Sequence, residues 1–236
     1  MQENESGSRS VEFWNGVKAT FPLVVGAIPF GIIFSALAIT AGLSREATMA
    51  MSAFVFAGSS QFIAVGLIAS GAGAGTIVIT TFIVNLRHAL YATTLGHHVK
   101  NLPQKWLVPL GFFLTDETFV VTAQRYNKPD SSSYKHLFYL GSALFMYLNW
   151  QLCTFIGILA GQIIQVPESW GLDFAMIVTF IGMVVPMVKN KPILIAVIVA
   201  GVISVAANAL PNQIGLFIAV ILGITAGIIT EKRMIS

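Results

Sequence analysis

Long uncharged stretches separated by short polar segments dominate this chain of 236 residues. An α-helix needs about 20 predominantly apolar residues to cross the roughly 30 Å hydrocarbon core of a bilayer. Eight stretches come close to that length or exceed it, and none alternates between polar and apolar residues as barrel strands do. The pattern predicts an all-α polytopic membrane protein of seven or eight transmembrane helices, some broken or kinked, over residues 19–43, 47–69, 75–95, 106–123, 137–164, 173–188, 192–209 and 213–230.

A glycine-rich stretch and a polar stretch divide the chain. The uncharged run from Ala47 to Leu86 is interrupted only by the glycine-rich stretch Gly71–Gly75. This indicates two helices joined by a tight turn or, alternatively, a re-entrant hairpin. The longest polar stretch, Arg125–His136, is the candidate boundary between two halves. We expect residues 1–15 to form a polar N-terminal tail and residues 16–232 to form a single transmembrane helical domain.

Composition excludes a water-soluble domain. Hydrophobic residues make up 56% of the chain and charged residues only 10%, whereas soluble domains carry about a quarter of charged residues. The net charge of +3 comes from basic residues scattered between apolar stretches, which is typical of membrane loops rather than of a nucleic-acid interface. Lys and Arg favour the loops on the side of the N-terminus by nine to three, so we expect a cytoplasmic N-terminus.

Sequence motifs for enzymatic chemistry are absent. Cys153 is the only cysteine, so neither an intramolecular disulfide nor a cysteine metal cluster can form. The sequence contains no GxxxxGK[ST] phosphate loop, no GxSxG nucleophile elbow and no HExxH pair. We predict no enzymatic activity, no cofactor and no metal site.

Three charged residues lie well inside predicted spans: Arg87, Asp116 and Glu117. Each would cost about 2.5–3.5 kcal/mol at a lipid-facing helix centre, so these side chains should face a protein interior or a water-filled cavity. At about 100° per residue, Asn85, Arg87, His88 and Tyr91 fall on one arc of about 160°. The third span therefore has one polar side.

Neighbouring carboxylates on a helix diverge by about 100°, so only one of the two acids meets Arg87 squarely. If Asp116 is the acid beside Arg87, the arginine holds it ionised, and Glu117 is then the better candidate for a group that gains and loses a proton during a transport cycle. Both Asp116 and Glu117 stay candidates for proton coupling. His88 is the competing proton carrier, because its charge changes near neutral pH. The alternative is a buried ion pair that only holds two helices together.

Helix interruptions are predicted in the first two spans. Small and hydroxyl residues lie within the second hydrophobic span, at Gly58, Ser59, Ser60 and Gln61. They permit a break that leaves backbone N–H groups free, although close helix packing is an equally good interpretation. In the first span, Pro29 and Gly31 predict a kink or break, because proline removes a backbone donor.

Polar residues in the second half, such as Trp150 and Gln151, indicate hydrogen bonds between helices or interfacial anchoring rather than ligand contact. The GxxxG pairs at 157–161 and 223–227 indicate close packing inside the chain more than a subunit interface. An oligomer is therefore a secondary expectation.

Four motifs follow one another along the first half: AIPFG at 27–31, FAGSSQF at 56–62, NLRHALY at 85–91 and LTDETF at 114–119. GLDFA at 171–175 and LGITAG at 222–227 follow in the second half. In this order they resemble the AzlC-type large subunit of the two-component branched-chain amino acid exporters, the LIV-E family. The resemblance covers roughly residues 13–230.

The resemblance implies export of leucine, isoleucine and valine from the bacterial cytoplasm, with methionine as a further candidate substrate. It implies that the proton gradient across the inner membrane drives this export by antiport. It also implies a partner, a small four-span AzlD-like membrane subunit.

A zwitterionic amino acid inside the membrane needs an anion site, a cation site and an apolar pocket. We hypothesise that the backbone around Gly58–Gln61, together with Arg87, receives the carboxylate. Asp116 or Glu117, helped by Asn85, receives the ammonium group.

Aromatic residues complete the hypothetical substrate site. Phe30, Phe56 and Phe62 line the apolar pocket, and Tyr91 belongs to the polar side. One methylene changes the binding free energy in such a pocket by about 1–3 kcal/mol, so discrimination among branched side chains is weak. The alternative function is an ion or small-solute channel that uses the same intramembrane charges.

Overall fold

The computed structural model of the chain describes residues 8–129, 132–163, 181, 185, 188–210 and 214–235. In these ranges helices, joined by turns and irregular segments, are the only regular secondary structure, and no strand is present. The nine helices of the described part are α1 (Arg9–Thr40), α2 (Arg45–Phe54), α3 (Gly58–Ala69), α4 (Ala74–Val99), α5 (Gln104–Phe112), α6 (Asp116–Tyr126), α7 (Lys135–Ile163), α8 (Lys191–Ala206) and α9 (Ile214–Ile235).

The all-helical prediction is confirmed, but two predicted spans are each divided into two helices. The span predicted over 47–69 consists of α2 and α3, and the span over 106–123 consists of α5 and α6. The stretch Gly71–Gly75 is a turn between α3 and α4, and Gly71 adopts a φ of +72° there. The span predicted over 173–188 lies mostly outside the described residues.

Length and apolar composition allow α1 and residues 135–160 of α7 to cross a membrane. Helix α1 begins at Arg9, so residues 9–15 of the predicted polar tail are helical. The chain forms two compact units, one of Met1–Gly71 with Ile77–Trp170 and one of Ala72–Thr76 with Gly171–Ser236. The Arg125–His136 loop lies within the first unit, and the single-domain prediction stays a prediction.

The first unit is built on very close packing between α1 and α7. A Cβ atom added to Gly16 would lie 2.0 Å from the carbonyl oxygen of Phe138, and one added to Gly141 would lie 2.1 Å from that of Phe13. The Thr20 hydroxyl donates to Ser142 Oγ at 2.6 Å between the same helices. Such contacts are typical of membrane helices, where small residues let backbones approach one another.

Of the kink or break predicted at Pro29 and Gly31, the break is wrong, because α1 runs without interruption from Arg9 to Thr40, and the kink stays a prediction. Membrane helices tolerate proline where neighbouring helices support the backbone. At Gly31 an added Cβ would lie 2.6 Å from the Cβ of Cys153. This glycine therefore serves contact with α7 instead of a change in chain direction.

In the second unit, α8 and α9 pack through small residues as well. An added Cβ at Gly223 would lie 2.8 Å from the Cβ of Ala200, and one at Gly227 would lie 3.1 Å from the Cβ of Ala196. The GxxxG pair at 223–227 thus makes contacts inside the chain, as predicted.

The α1–α7 contact gives a stability prediction for Gly157→Ala. Its new methyl group would lie 2.0 Å from Ser35 Oγ and 2.4 Å from the carbonyl oxygen of Ile32, so the helices must separate. We expect the free energy of unfolding in detergent to fall by about 1–3 kcal/mol. Gly26→Ala is the matched control, since nothing lies within 4 Å of a Cβ at Gly26. Equal stability of the two variants would contradict this packing.

Candidate functional site

The second predicted span is broken at residues 55–57. Helix α2 ends at Phe54, and α3 begins at Gly58 after Ala57, whose backbone is extended. The side chain of Ala57 provides no cap for the first N–H groups of α3. Of the two interpretations of the Gly58–Gln61 cluster, the helix break is therefore confirmed. The start of α3 is the positive end of a helix dipole.

The Gln61 side chain closes the carbonyl end of the break. Its Nε2 donates to the carbonyl oxygen of Val55 at 2.8 Å and to that of Met51 at 3.2 Å. Its Oε1 accepts a hydrogen bond from the Trp150 indole at 3.0 Å. The predicted substrate contact of Gln61 stays a prediction, and in the structure its amide holds α2, α3 and α7 together.

Other α7 side chains satisfy more of the carbonyl groups at the end of α2. Gln151 Nε2 donates to the carbonyl oxygen of Ser52 at 3.0 Å, and the Tyr147 hydroxyl donates to that of Ala53 at 3.2 Å. The last carbonyl groups of a helix lack partners within it, and they are costly to leave bare in a membrane. The interhelical hydrogen bonds predicted for Trp150 and Gln151 are therefore confirmed.

Helix α6 begins at Asp116, so the two acids lie at a helix start and not in the middle of a span. Thr115 is the N-cap, and its Oγ1 accepts a hydrogen bond from the Thr118 N–H at 3.3 Å. The prediction of a continuous helix over 106–123 is thus wrong. The signal was present in the sequence, because a threonine followed by two acids is a typical helix start.

Arg87 joins three helices at these two starts. Its Nη1 lies 2.9 Å from Asp116 Oδ2 at the start of α6, and its Nη2 donates to Ser59 Oγ at 3.0 Å at the start of α3. The Tyr91 hydroxyl, one turn along α4, donates to Asp116 Oδ1 at 2.7 Å. Of the two neighbouring acids, the structure places Asp116 against Arg87. We call Ser59, Arg87, Tyr91 and Asp116 the arginine cluster.

A second contact holds α3 against α4 beside the arginine cluster. The Ser60 hydroxyl is fully buried and donates to Asn85 Oδ1 at 2.7 Å. Asn85 contacts Ser60 and Arg87 contacts Ser59, so both side chains of α4 reach the first turn of α3. The structure thus places Asn85 in contact with the Gly58–Gln61 cluster.

The arginine cluster retains capacity for an anion. Arg87 Nε is buried and has no hydrogen-bond partner among the described residues, although a buried guanidinium donor normally has one. The same guanidinium contacts Ser59 at the positive start of α3 through Nη2. The Asp116 side chain is 39% exposed and the Arg87 side chain 21%. The pair is therefore reachable and not sealed inside a core.

Two predicted proton carriers lie next to the arginine cluster without joining its hydrogen bonds. Glu117 follows Asp116 in α6, is partly buried, and forms no ion pair in the described part of the chain. His88 Nδ1 lies 3.2 Å from the carbonyl oxygen of Asn85 in its own helix. Their roles in proton coupling stay predictions.

For the predicted apolar pocket, the structure describes the packing of Phe62 but no contact between Phe30 and the arginine cluster. Phe62 is 1% exposed and packs edge-on against Phe34 at 6.1 Å between ring centroids, so it belongs to the core. The Trp150 ring covers Gly58, where an added Cβ would lie 3.1 Å from it. Phe30 is partly buried in α1, and the contacts described for the arginine cluster do not include it.

Sequence reasoning missed a second ion pair, at the other end of α6. Arg125 binds both carboxylate oxygens of Glu12 in α1, with Nε to Oε2 at 3.2 Å. The Ser132 hydroxyl donates to Glu12 Oε1 at 2.9 Å. The side chains are only 10% and 6% exposed. Glu12 lay in the expected tail, and no local pattern marked its partner more than a hundred residues away.

Among the described residues, no group of three His, Cys, Asp or Glu side chains is placed to hold a metal ion. The helices, their close packing and an arginine that contacts two helix starts define an integral membrane protein with a polar site inside its helical unit.

The chain belongs to the AzlC protein family, which it matches over residues 22–164. It is 30% identical to an uncharacterized membrane protein of Archaeoglobus fulgidus over 219 residues, which cover 92% of this chain and 94% of the relative. It is 27% identical to the inner membrane protein YgaZ of Escherichia coli, over 65% of this chain and 62% of the relative.

A further relative is the branched-chain amino acid transport protein AzlC of Bacillus subtilis. The two sequences are 26% identical over 182 residues, which cover 75% of this chain and 70% of that protein. No solved structure matches the chain.

The second ion pair gives a prediction for Glu12→Gln. The substitution breaks a buried ion pair, so we expect a loss of about 3–5 kcal/mol in the free energy of unfolding. Thermal or denaturant unfolding of the purified protein in detergent measures it. Glu231→Gln removes an exposed carboxylate in α9 and should change stability little. A loss in Glu12→Gln no larger than in this control would contradict the prediction.

Proposed function

We propose that this protein is a secondary transporter that exports branched-chain amino acids from the bacterial cytoplasm by proton antiport. It is not an enzyme, and it lies in the inner membrane with its N-terminus in the cytoplasm. The observation that carries the proposal is the arginine cluster, in which Arg87 of α4 links two helix starts through an ion pair with Asp116 and a hydrogen bond to Ser59. The name of the relative from Bacillus subtilis supports the substrate class.

The carboxylate of the amino acid binds between the start of α3 and Arg87. Free backbone N–H groups at a helix start attract an anion, and discontinuous helices serve this purpose in other transporters. The unpartnered Nε of Arg87 supplies a charged donor. Ser59, already bonded to Arg87, lies at the same helix start.

The ammonium group binds near Asp116, within reach of the amide of Asn85. Asp116 shares its charge with Arg87 and Tyr91, so the arriving ammonium joins a network that is already polarised. The zwitterion thus meets a matching cation and anion without bringing a net charge into the membrane, which keeps the desolvation cost low. Phe30 lies on the neighbouring α1 and contacts the branched side chain.

Glu117 carries the proton in this scheme. It is free of the ion pair that holds Asp116, so it can be neutral in one state and ionised in the other. Protonation from the outside resets the empty carrier, and release of the proton inside permits the next amino acid to bind. His88 is the competing carrier, since it lies on the α4 turn beside Arg87.

Substitution of each acid by its amide tests the assignment of the proton to Glu117. Glu117→Gln should abolish efflux of labelled leucine driven by a pH gradient while leucine exchange between the two sides persists. Asp116→Asn should lower both activities by about tenfold or more, equivalent to about 1.4 kcal/mol, because Arg87 loses its partner. Proteoliposomes or membrane vesicles provide the measurement.

Glu231→Gln is the control for the removal of a carboxylate and should transport like the wild type. Undiminished proton-driven efflux in both acid variants would overturn the carboxylate mechanism. Leucine flux without saturation and without accelerated exchange would instead indicate a channel.

We also propose a small AzlD-like membrane subunit as the partner of this chain. Cells fed with a leucine-containing dipeptide should accumulate about tenfold less internal leucine when both proteins are present than with neither, if export keeps pace with hydrolysis. Mass spectrometry of cell extracts measures the internal pool. An equal reduction by this chain alone would show that the partner is not required.

A further inference from the structure

A groove lies at the opposite end of α6 from the arginine cluster. Asn15 and Ala19 of α1 form one wall, Val121, Gln124 and Lys128 form the other, and Phe138 of α7 forms the floor. The cavity has a volume of about 420 Å³, within the range of about 300–1,000 Å³ typical of small-molecule sites. We call it the α1–α6 groove.

The lining of this groove favours an anion. Asn15 and Gln124 offer amide donors and Lys128 a positive charge, and among the described residues no carboxylate lines the cavity. Arg125 also reaches it, held by Glu12. Because Glu12 already neutralises Arg125, Lys128 supplies the net charge.

The groove and Glu117 lie on the same side of α6. At about 100° per residue, Gln124 falls about 20° from the direction of Glu117 and Val121 about 40° from it. The rise from Glu117 to Gln124 is only about 10 Å. Asp116, by contrast, is turned about 100° away, toward Arg87.

We propose that the α1–α6 groove is a second solute site, where the carboxylate of the amino acid binds before the solute reaches the arginine cluster. This inference rests on the function proposed above. The amides of Asn15 and Gln124 and the ammonium of Lys128 hold the carboxylate, and Phe138 and Val121 contact the aliphatic part. The stripe of α6 that contains Glu117 then leads from this site toward Arg87.

Thiol labelling tests the groove directly. Cys153→Ser removes the only cysteine of the chain, and Gln124→Cys then places one thiol in the groove. The control is Lys18→Cys, an exposed position of α1 that does not line the cavity. A membrane-impermeant maleimide should label both cysteines from the same face of the membrane.

Leucine should slow maleimide labelling of the cysteine in the groove and not of the control cysteine. At a concentration ten times its dissociation constant, leucine occupies about nine tenths of the sites, so labelling of Gln124→Cys should slow about tenfold and that of Lys18→Cys should not change. Leucinol, which lacks the carboxylate, should protect little at the same concentration. Lys128→Gln in the Gln124→Cys background should weaken protection by leucine severalfold.

Several results would overturn the proposal. Gln124→Cys that resists labelling while Lys18→Cys reacts would show that water does not reach the groove. Labelling that is unaffected by leucine, in a chain that transports leucine, would remove the second site but leave the proposed function standing. Protection by phosphatidylglycerol in the vesicles, independent of leucine, would assign the groove to a lipid headgroup. A wild-type chain that carries no leucine at all would defeat the proposed function itself.

Discussion

The charge of Arg87 within the helical unit is the constraint on which the rest of the structure depends. A guanidinium cannot shed its proton, so within a membrane it requires an anion and several acceptors. One carboxylate and one hydroxyl satisfy two of its nitrogens, and each comes from the first turn of a different helix. Helices α3 and α6 must therefore start at the same level beside α4, which explains why both predicted spans are interrupted.

The carbonyl groups at the end of α2 and the N–H groups at the start of α3 differ in their side-chain partners. Side chains of Gln61, Tyr147 and Gln151 satisfy carbonyl groups at the end of α2. The start of α3 has no side-chain cap and contacts Arg87 through Ser59. The carbonyl groups at the negative end thus have side-chain partners, whereas the first N–H groups at the positive end lack a side-chain cap.

Helix α6 connects both ion pairs. Asp116 at its start binds Arg87, and Arg125 in its last turn binds Glu12, so a rigid segment of 11 residues is anchored at each end by charge. Its ends are anchored to α4 and to α1. The two ion pairs therefore lie about 14 Å apart along one helix.

The sequence by itself determined that the chain is a helical membrane protein, where most helices lie, and that Arg87 needs a partner such as one of the two neighbouring acids. Only the tertiary structure decided that this acid is Asp116. Apolar length and the cost of charge in hydrocarbon are properties of the chain and its solvent, and they need no coordinates. Only the tertiary structure decided that α1 stays continuous through Pro29, because contact with α7 supports it. It also decided that Glu12 meets Arg125, since such partners, distant in sequence, are chosen by packing and leave no local pattern.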